Sequence, residues 1–185
     1  MSRFSVSFLL SIALCLVIRS QLIVAQSPDG NLIAKACEQA NHKDFCISLL
    51  KSDRNSAKAD LRGLAYIALR LAEKNATATS LFIKETLNKS DRESGTYQQA
   101  LLDCSEHYIT AVELIEDSIS SLVSDVYNDV AKLAKAAVAD LDACDESVKE
   151  QGGNAVTVAD KNLEIRQLIN TALSIVHVSV STRAH

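Results

Sequence analysis

The sequence predicts an all-α protein, an up-down four-helix bundle preceded by an N-terminal helical hairpin and tied by two disulfides. Three observations carry this prediction. Only five Gly and one Pro punctuate 185 residues, too few for the turns of a sandwich, barrel or propeller. Apolar residues recur at spacings of three and four through four long segments, the period of a helix that buries one face. An even number of cysteines follows an export signal, as a disulfide framework requires. The 48% apolar content supports a sizeable core, and the 23% of charged residues is ordinary for a folded domain.

The first 25 residues read as a secretory signal peptide. Arg3 supplies the positive start, Phe8 to Ile18 is an uncharged apolar run, and Ala25 is a small residue ahead of a cut before Gln26. A membrane anchor fits less well, because a run of that length covers only about half of a ~30 Å hydrocarbon core. Residues 26–185 then form one exported domain, with the hairpin at about 29–52 and the bundle at about 58–180, and no membrane segment remains after cleavage.

The hairpin is two short helical pieces, Asn31 to Ala40 and Asp44 to Ser52. Lys58 to Asn88 reads as the first bundle helix: Leu61, Leu64, Ala68, Leu71, Ala78 and Phe82 keep helical spacing, with Asn75 interrupting the stripe. Ser90 to Thr96 is a turn signal. The second stripe is Leu101, Cys104, Tyr108, Ala111, Ile115, Ile119 and Leu122, and Ser124-Asp125 breaks it. Val130, Ala134, Ala137, Leu141, Cys144 and Val148 form the third, ended by Gly152-Gly153. The last is Ile165, Leu168, Ala172, Ile175 and Ser179, with Thr157 and Asp160 as candidate N-caps and Ser179 to His185 expected to fray. Four helices that each carry one apolar stripe and are joined by short links bury those stripes against one another, most simply as an up-down bundle.

Cys15 leaves with the signal, so Cys37, Cys46, Cys104 and Cys144 remain. Four cysteines allow three connectivities, and sequence alone does not choose among them. The short gap favours a local Cys37–Cys46 pair, which leaves Cys104 with Cys144. A zinc site from Cys37, His42 and Cys46 is the alternative, although no fourth ligand lies nearby. Two N-glycosylation sequons, at Asn75 and Asn88, require those asparagines to face solvent if they are used.

The inventory of function classes is mostly a list of exclusions. With 19 Lys and Arg against 23 Asp and Glu, the chain lacks the basic stripe that a nucleic-acid binder uses against phosphates. His42, His107, His177 and His185 are scattered, and no His-x-x-x-His, glycine-rich phosphate loop, Gly-x-Ser-x-Gly or Cys-x-x-Cys is present. Neither a cofactor nor a metal nor catalysis is predicted. Glu113, Glu116 and Asp117 are grouped acids, a pattern more typical of a solvated helix face than of paired catalytic carboxylates. Glu106, Thr110, Glu113 and Asp117 fall at i, i+4, i+7 and i+11, a polar ridge facing away from the stripe through Cys104 and Tyr108. Composition and periodicity therefore lead to an exported, disulfide-tied bundle that binds or inhibits a partner.

The local contexts of the cysteines carry a resemblance. Cys37 to Cys46, Ser52 to Ala65 (SDRNSAKADLRGLA), Leu101 to Ala111 (LLDCSEHYITA) and Ser124 to Glu146 (SDVYNDVAKLAKAAVADLDACDE) together resemble the plant invertase and pectin methylesterase inhibitor family over essentially the whole exported chain. The resemblance implies a four-helix bundle with an N-terminal hairpin, pairing of the first cysteine with the second and the third with the fourth, and stoichiometric inhibition of a carbohydrate-active enzyme of the apoplast or, second, the vacuole. Invertase inhibitors of this family carry Pro-Lys-Phe between the second and third bundle helices. This chain has Asp125-Val126-Tyr127-Asn128 there, similar to the Gly-Asp-Tyr-Asn of pectin methylesterase inhibitors with one residue inserted. Pectin methylesterase is therefore the implied partner, a cell-wall or vacuolar invertase the alternative, and a non-inhibitory secreted binding protein the third possibility. The partner contacts implied by the resemblance fall on Glu106, Thr110, Glu113, Asp125, Ala143 and Glu146.

Overall fold

Among the described residues six helices and one 3-10 turn follow one another: α1 Pro28–Ala36, α2 Lys43–Ser52, the turn Arg54–Lys58, α3 Leu61–Lys89, α4 Gly95–Val123, α5 Tyr127–Val148 and α6 Asn154–Arg183. This computed structural model describes residues 28–89, 95–149 and 154–183. The signal peptide read at 1–25, most of the Ser90 to Thr96 turn and the Gly152-Gly153 stop lie outside the described residues.

The second, third and fourth stripes are buried as the spacing predicts. Every residue named for them, from Leu101 to Leu122, Val130 to Val148 and Ile165 to Ser179, lies in the core. The α3 stripe needs correction. Its buried line is Leu64, Ala65, Ala68, Ala72, Ala76, Thr79 and Ile83, while Leu61, Leu71 and Phe82 are half-buried and Ala78 is exposed. The first half of α3 is apolar over a broad sector because it packs against α4, α6 and the hairpin at once, so more than one three-four chain can be drawn through it. Asn75 sits at the edge of the buried line rather than interrupting it.

Helix starts are corrected for a different reason. Lys58 belongs to the 3-10 turn, whose Asp53 Oδ1 accepts from the Asn55 N–H at 2.7 Å. Asp60 then caps α3, its Oδ1 accepting from the Gly63 N–H at 2.7 Å. A Cβ on Gly63 would come within 2.9 Å of the Ala59 Cβ, so glycine lets the capped turn close. At the other end of the bundle α6 begins upstream of Thr157 and Asp160, and neither is its cap. The helix continues through Ser179 to Arg183, with Val176, Val178 and Ser179 buried, and the last two residues of the stretch expected to fray, Ala184 and His185, lie outside the described residues. The hairpin helices are offset from the expected pieces, α1 ending at Ala36 and α2 starting at Lys43.

In the bundle each of α3 to α6 packs chiefly on its two neighbours, α4 against α5 most extensively. The starts of α3 and α5 and the ends of α4 and α6 share one end of the bundle, where Asp125 meets both Arg62 and Arg183. That placement is the up-down topology. Cys37 pairs with Cys46 across the hairpin (Cα–Cα 5.7 Å), and Cys104 pairs with Cys144 between α4 and α5 (Cα–Cα 4.5 Å). The first bond consumes the two thiolates that the zinc alternative needs. The second closes the longer loop and on a chain-entropy estimate contributes about 4 kcal/mol.

Candidate functional site

Helix α4 has two stripes on opposite faces. The inner one is the core line from Leu101 to Leu122, and Glu106, Thr110, Glu113 and Asp117 are all exposed on the outer side. The outer face is more than a polar ridge, however. Leu102 is 47% exposed and Ile109 is 55% exposed, and they lie on one line with Glu106, Glu113 and Glu116. Leu102, Glu106, Ile109, Glu113, Glu116 and Ser120 step along the chain by 4, 3, 4, 3 and 4, the same period as the core stripe and out of phase with it. The polar ridge read from the sequence contains neither Leu102 nor Ile109, although their spacing from Glu106 and Glu113 is present in the sequence.

The charge on α4 is of one sign. Asp103, Glu106, Glu113, Glu116 and Asp117 are its acids, and the helix has no Lys or Arg. Asp103 accepts from Gln99 at 2.9 Å. Among the described residues no ion pair reaches Glu106, Glu113, Glu116 or Asp117.

Four of the five acids of α5 are engaged, and the fifth, Asp129 in its first turn, is exposed at the Asp125 end of the bundle. Asp140 faces His107 of α4 at 3.0 Å, Asp142 and Asp145 both hold the Arg166 guanidinium of α6 at 2.6 Å, and Glu146 takes Lys149 at 3.2 Å. Burial pulls the Arg166 guanidinium down, but the hydrogen bonds it donates to Asp142 and Asp145 outweigh it and leave its affinity for the proton raised. The clamp continues inward. Asn162, fully buried on α6, donates to Asp145 and to the Leu141 carbonyl (3.3 Å) and accepts from the Tyr108 hydroxyl. Burial pushes the Tyr108 hydroxyl well above the ordinary phenol range, so it stays a neutral donor. Ala143 is half-buried, and its carbonyl accepts from Ser147 at 3.1 Å. Because Cys144 is bonded to Cys104, Ala143 and Glu146 lie level with the first turns of the α4 stripe.

Asp125 occupies a different place. It sits in the α4–α5 turn with φ 59°, in the left-handed region that Asp and Asn tolerate better than most side chains. Its carboxylate accepts from the Tyr127 hydroxyl at 2.8 Å, from Arg62 at 2.9 Å and from Arg183 at 3.3 Å, and the Arg183 guanidinium lies 4.9 Å from the centre of the Tyr127 ring. The Tyr127 hydrogen bond, with the two guanidiniums, holds its pKa below the usual carboxylate value. Of the six contact positions inferred from sequence, the structure gathers Glu106, Thr110 and Glu113 on one free face, sets Ala143 and Glu146 beside it, and puts Asp125 in a latch at the far end.

Residues 31–175 match the family described as plant invertase/pectin methylesterase inhibitor. The chain belongs to that family. The family is one of protein inhibitors, not of enzymes. Among relatives of this inhibitor-family chain, a cell wall / vacuolar inhibitor of fructosidase 2 from Arabidopsis thaliana is 35% identical over 109 residues, 59% of this chain and 60% of that protein. A pectinesterase inhibitor from Actinidia deliciosa is 27% identical over 172 residues, 90% of this chain and 91% of the relative. The chain thus spans less than two thirds of the first relative and nearly all of the second. The fold is shared with a pectin methylesterase inhibitor from Arabidopsis, solved in a mutant form, with a TM-score of 0.68 at 23% identity over 76% of this chain and 92% of that one.

The two sequons of this family member differ in setting. Asn88 is exposed in the last turn of α3. Asn75 does not simply face solvent: it is half-buried and donates to Glu164 of α6 at 2.9 Å, bridging the α3–α6 seam.

Proposed function

We propose that the exported chain is a stoichiometric inhibitor of a plant pectin methylesterase, and that it acts in the cell wall by laying the outer face of α4 and the adjoining end of α5 over the substrate cleft. One observation carries the reading: Glu106, Glu113, Glu116 and Asp117 form a continuous acidic face with no cation of its own. A fold gains nothing from leaving four like charges side by side, whereas a complementary cationic rim on a partner turns them into recognition and speeds association. The Asp125-Val126-Tyr127-Asn128 segment, without Pro-Lys-Phe, supports the choice of target.

Invertase is the second reading. The observation that favours it is the 35% identity to an inhibitor of fructosidase over part of the chain. A parallel titration of residues 26–185 against a plant pectin methylesterase and a plant cell-wall invertase near pH 5 separates the two. Loss of esterase activity at near-equimolar inhibitor is the expected result. Loss of invertase activity alone transfers the function to the second reading, and inhibition of neither overturns both.

A further inference from the structure

We propose that Leu102 and Ile109 are the apolar anchors of the α4 face, the side chains that seat in the target while the surrounding acids set its charge. The inference rests on the inhibitory reading above and names which residues carry most of the affinity.

Neither side chain has work to do inside the fold. The core line of α4 is complete without them, and each is about half exposed. Single exposed aliphatics are common on any surface. Two of them seven residues apart on a helix are a different matter, because they fall within about 20° of one line and about 10 Å from each other. Each is followed four residues later by an acid, Leu102 by Glu106 and Ile109 by Glu113. The pattern is that of an interface centre: apolar anchors that bury well, ringed by polar groups that exclude water and choose the partner. Leu81, the 58% exposed residue of α3, differs: the acid four residues later, Glu85, is already paired with Lys89 at 3.6 Å, and Lys74 and Asn88 rather than a second aliphatic stand seven residues away.

The charge decides the occupant. A second copy of the chain would set acids against acids with no Lys or Arg on either α4. An anionic lipid surface is repelled by the same face. What fits is an enzyme surface with two apolar sites about two helical turns apart and Lys or Arg side chains around them. The outer face from Gln98 to Ser120 is about 33 Å long, enough for one side of an ordinary protein–protein interface.

The test uses Leu102→Ala, Ile109→Ala and the control Leu81→Ala in the exported chain, titrated beside the wild type against pectin methylesterase and invertase, with melting temperatures for all four. Each α4 substitution weakens inhibition of the bound enzyme at least tenfold with the melting temperature unmoved, and Leu81→Ala changes nothing. Wild-type inhibition with both α4 variants equally potent overturns the anchor assignment and leaves the inhibitory function standing. Equal loss in Leu81→Ala also overturns it, because exposure alone would then explain the effect. A wild type that inhibits neither enzyme removes the function and, with it, this inference.

Discussion

Helices α4 and α5 are neighbours, both acidic, and joined by the Cys104–Cys144 bond, yet they handle charge in opposite ways. The carboxylates of α5 at Asp140, Asp142, Asp145 and Glu146 are spent on His107, Arg166 and Lys149. On α4, Glu106, Glu113, Glu116 and Asp117 are spent on nothing within the described residues. Paired acids on α5 fix how α4, α5 and α6 sit together, while the unpaired acids of α4 are held ready on the scaffold so produced. On the proposed reading, the partner is met by the helix whose acids the fold leaves unpaired.

The sharpest way to break that contrast is at the centre of the α5 clamp. Asn162→Ala removes at once the acceptor of the Tyr108 hydroxyl and the donor to the Leu141 carbonyl and to one oxygen of Asp145. Losing a buried amide with these partners costs about 3 kcal/mol, and in a domain of this size lowers the melting temperature by roughly 6 to 12 °C. Urea unfolding reads the first number and calorimetry the second. Affinity for the target, corrected for the folded fraction, is expected to stay near wild type. A drop in affinity without a drop in stability would make Asn162 part of the recognition surface instead.

The division between the two helices was only half visible in the sequence. The buried stripes of α4, α5 and α6 were legible because a three-four spacing of Leu, Ile, Val and Ala has one physical use when it is flanked by charges. The α3 stripe was misphased because its first half is apolar on several sides, where periodicity loses its reference. The starts of α3 and α6 were misplaced, and for α3 the reason is that its cap is a single contact between the Asp60 carboxylate and the Gly63 N–H, which periodicity does not encode. The acids of α4 and α5 look alike in sequence. Their difference depends on which cations the topology brings near, and Arg166 reaches Asp142 and Asp145 from 24 and 21 residues away. Leu102 and Ile109 show the converse: the spacing was present, but only the structure reveals that the stripe faces outward.

A smaller effect sharpens the comparison from the α4 side. Glu113→Ala removes a free carboxylate and Glu146→Ala removes one already shared with Lys149. Both are exposed, so neither is expected to change stability by more than about 0.5 kcal/mol. Against the target, Glu113→Ala is expected to cost about 1 to 2 kcal/mol, a loss of roughly tenfold in affinity with a weaker salt dependence of association. Glu146→Ala costs less, because Lys149 is released when the acid is removed and the net change is small. Equal losses at both positions would mean that the Lys149 pair opens on binding and that α5 joins the contact on the same footing as α4.

The smallest effect is at Asp125, which tests whether a carboxylate outside both helices belongs to the fold or to the partner. Its carboxylate is held below the ordinary Asp value by the Tyr127 hydroxyl, Arg62 and Arg183. A carboxylate whose pKa is lower in the folded state stabilises the fold above its unfolded value of about 3.9, and the contribution is lost as pH falls through the lower folded value. Asp125→Asn keeps the shape and the tolerance for a left-handed turn but removes the charge. The variant is thus expected to melt slightly below wild type, by the same margin at every pH from 4.5 to 7.5, and the margin closes below pH 4. A margin that changes between pH 5 and 7 would show that a group other than Asp125 controls this end of the bundle. If the latch is purely internal, affinity for the target is flat across the substitution, and the free acids of α4 alone account for the charge that the partner reads. A loss of affinity with no change in melting would instead mean that Arg62 and Arg183 surrender Asp125 on binding, and the latch would then be a second contact held closed until the target arrives.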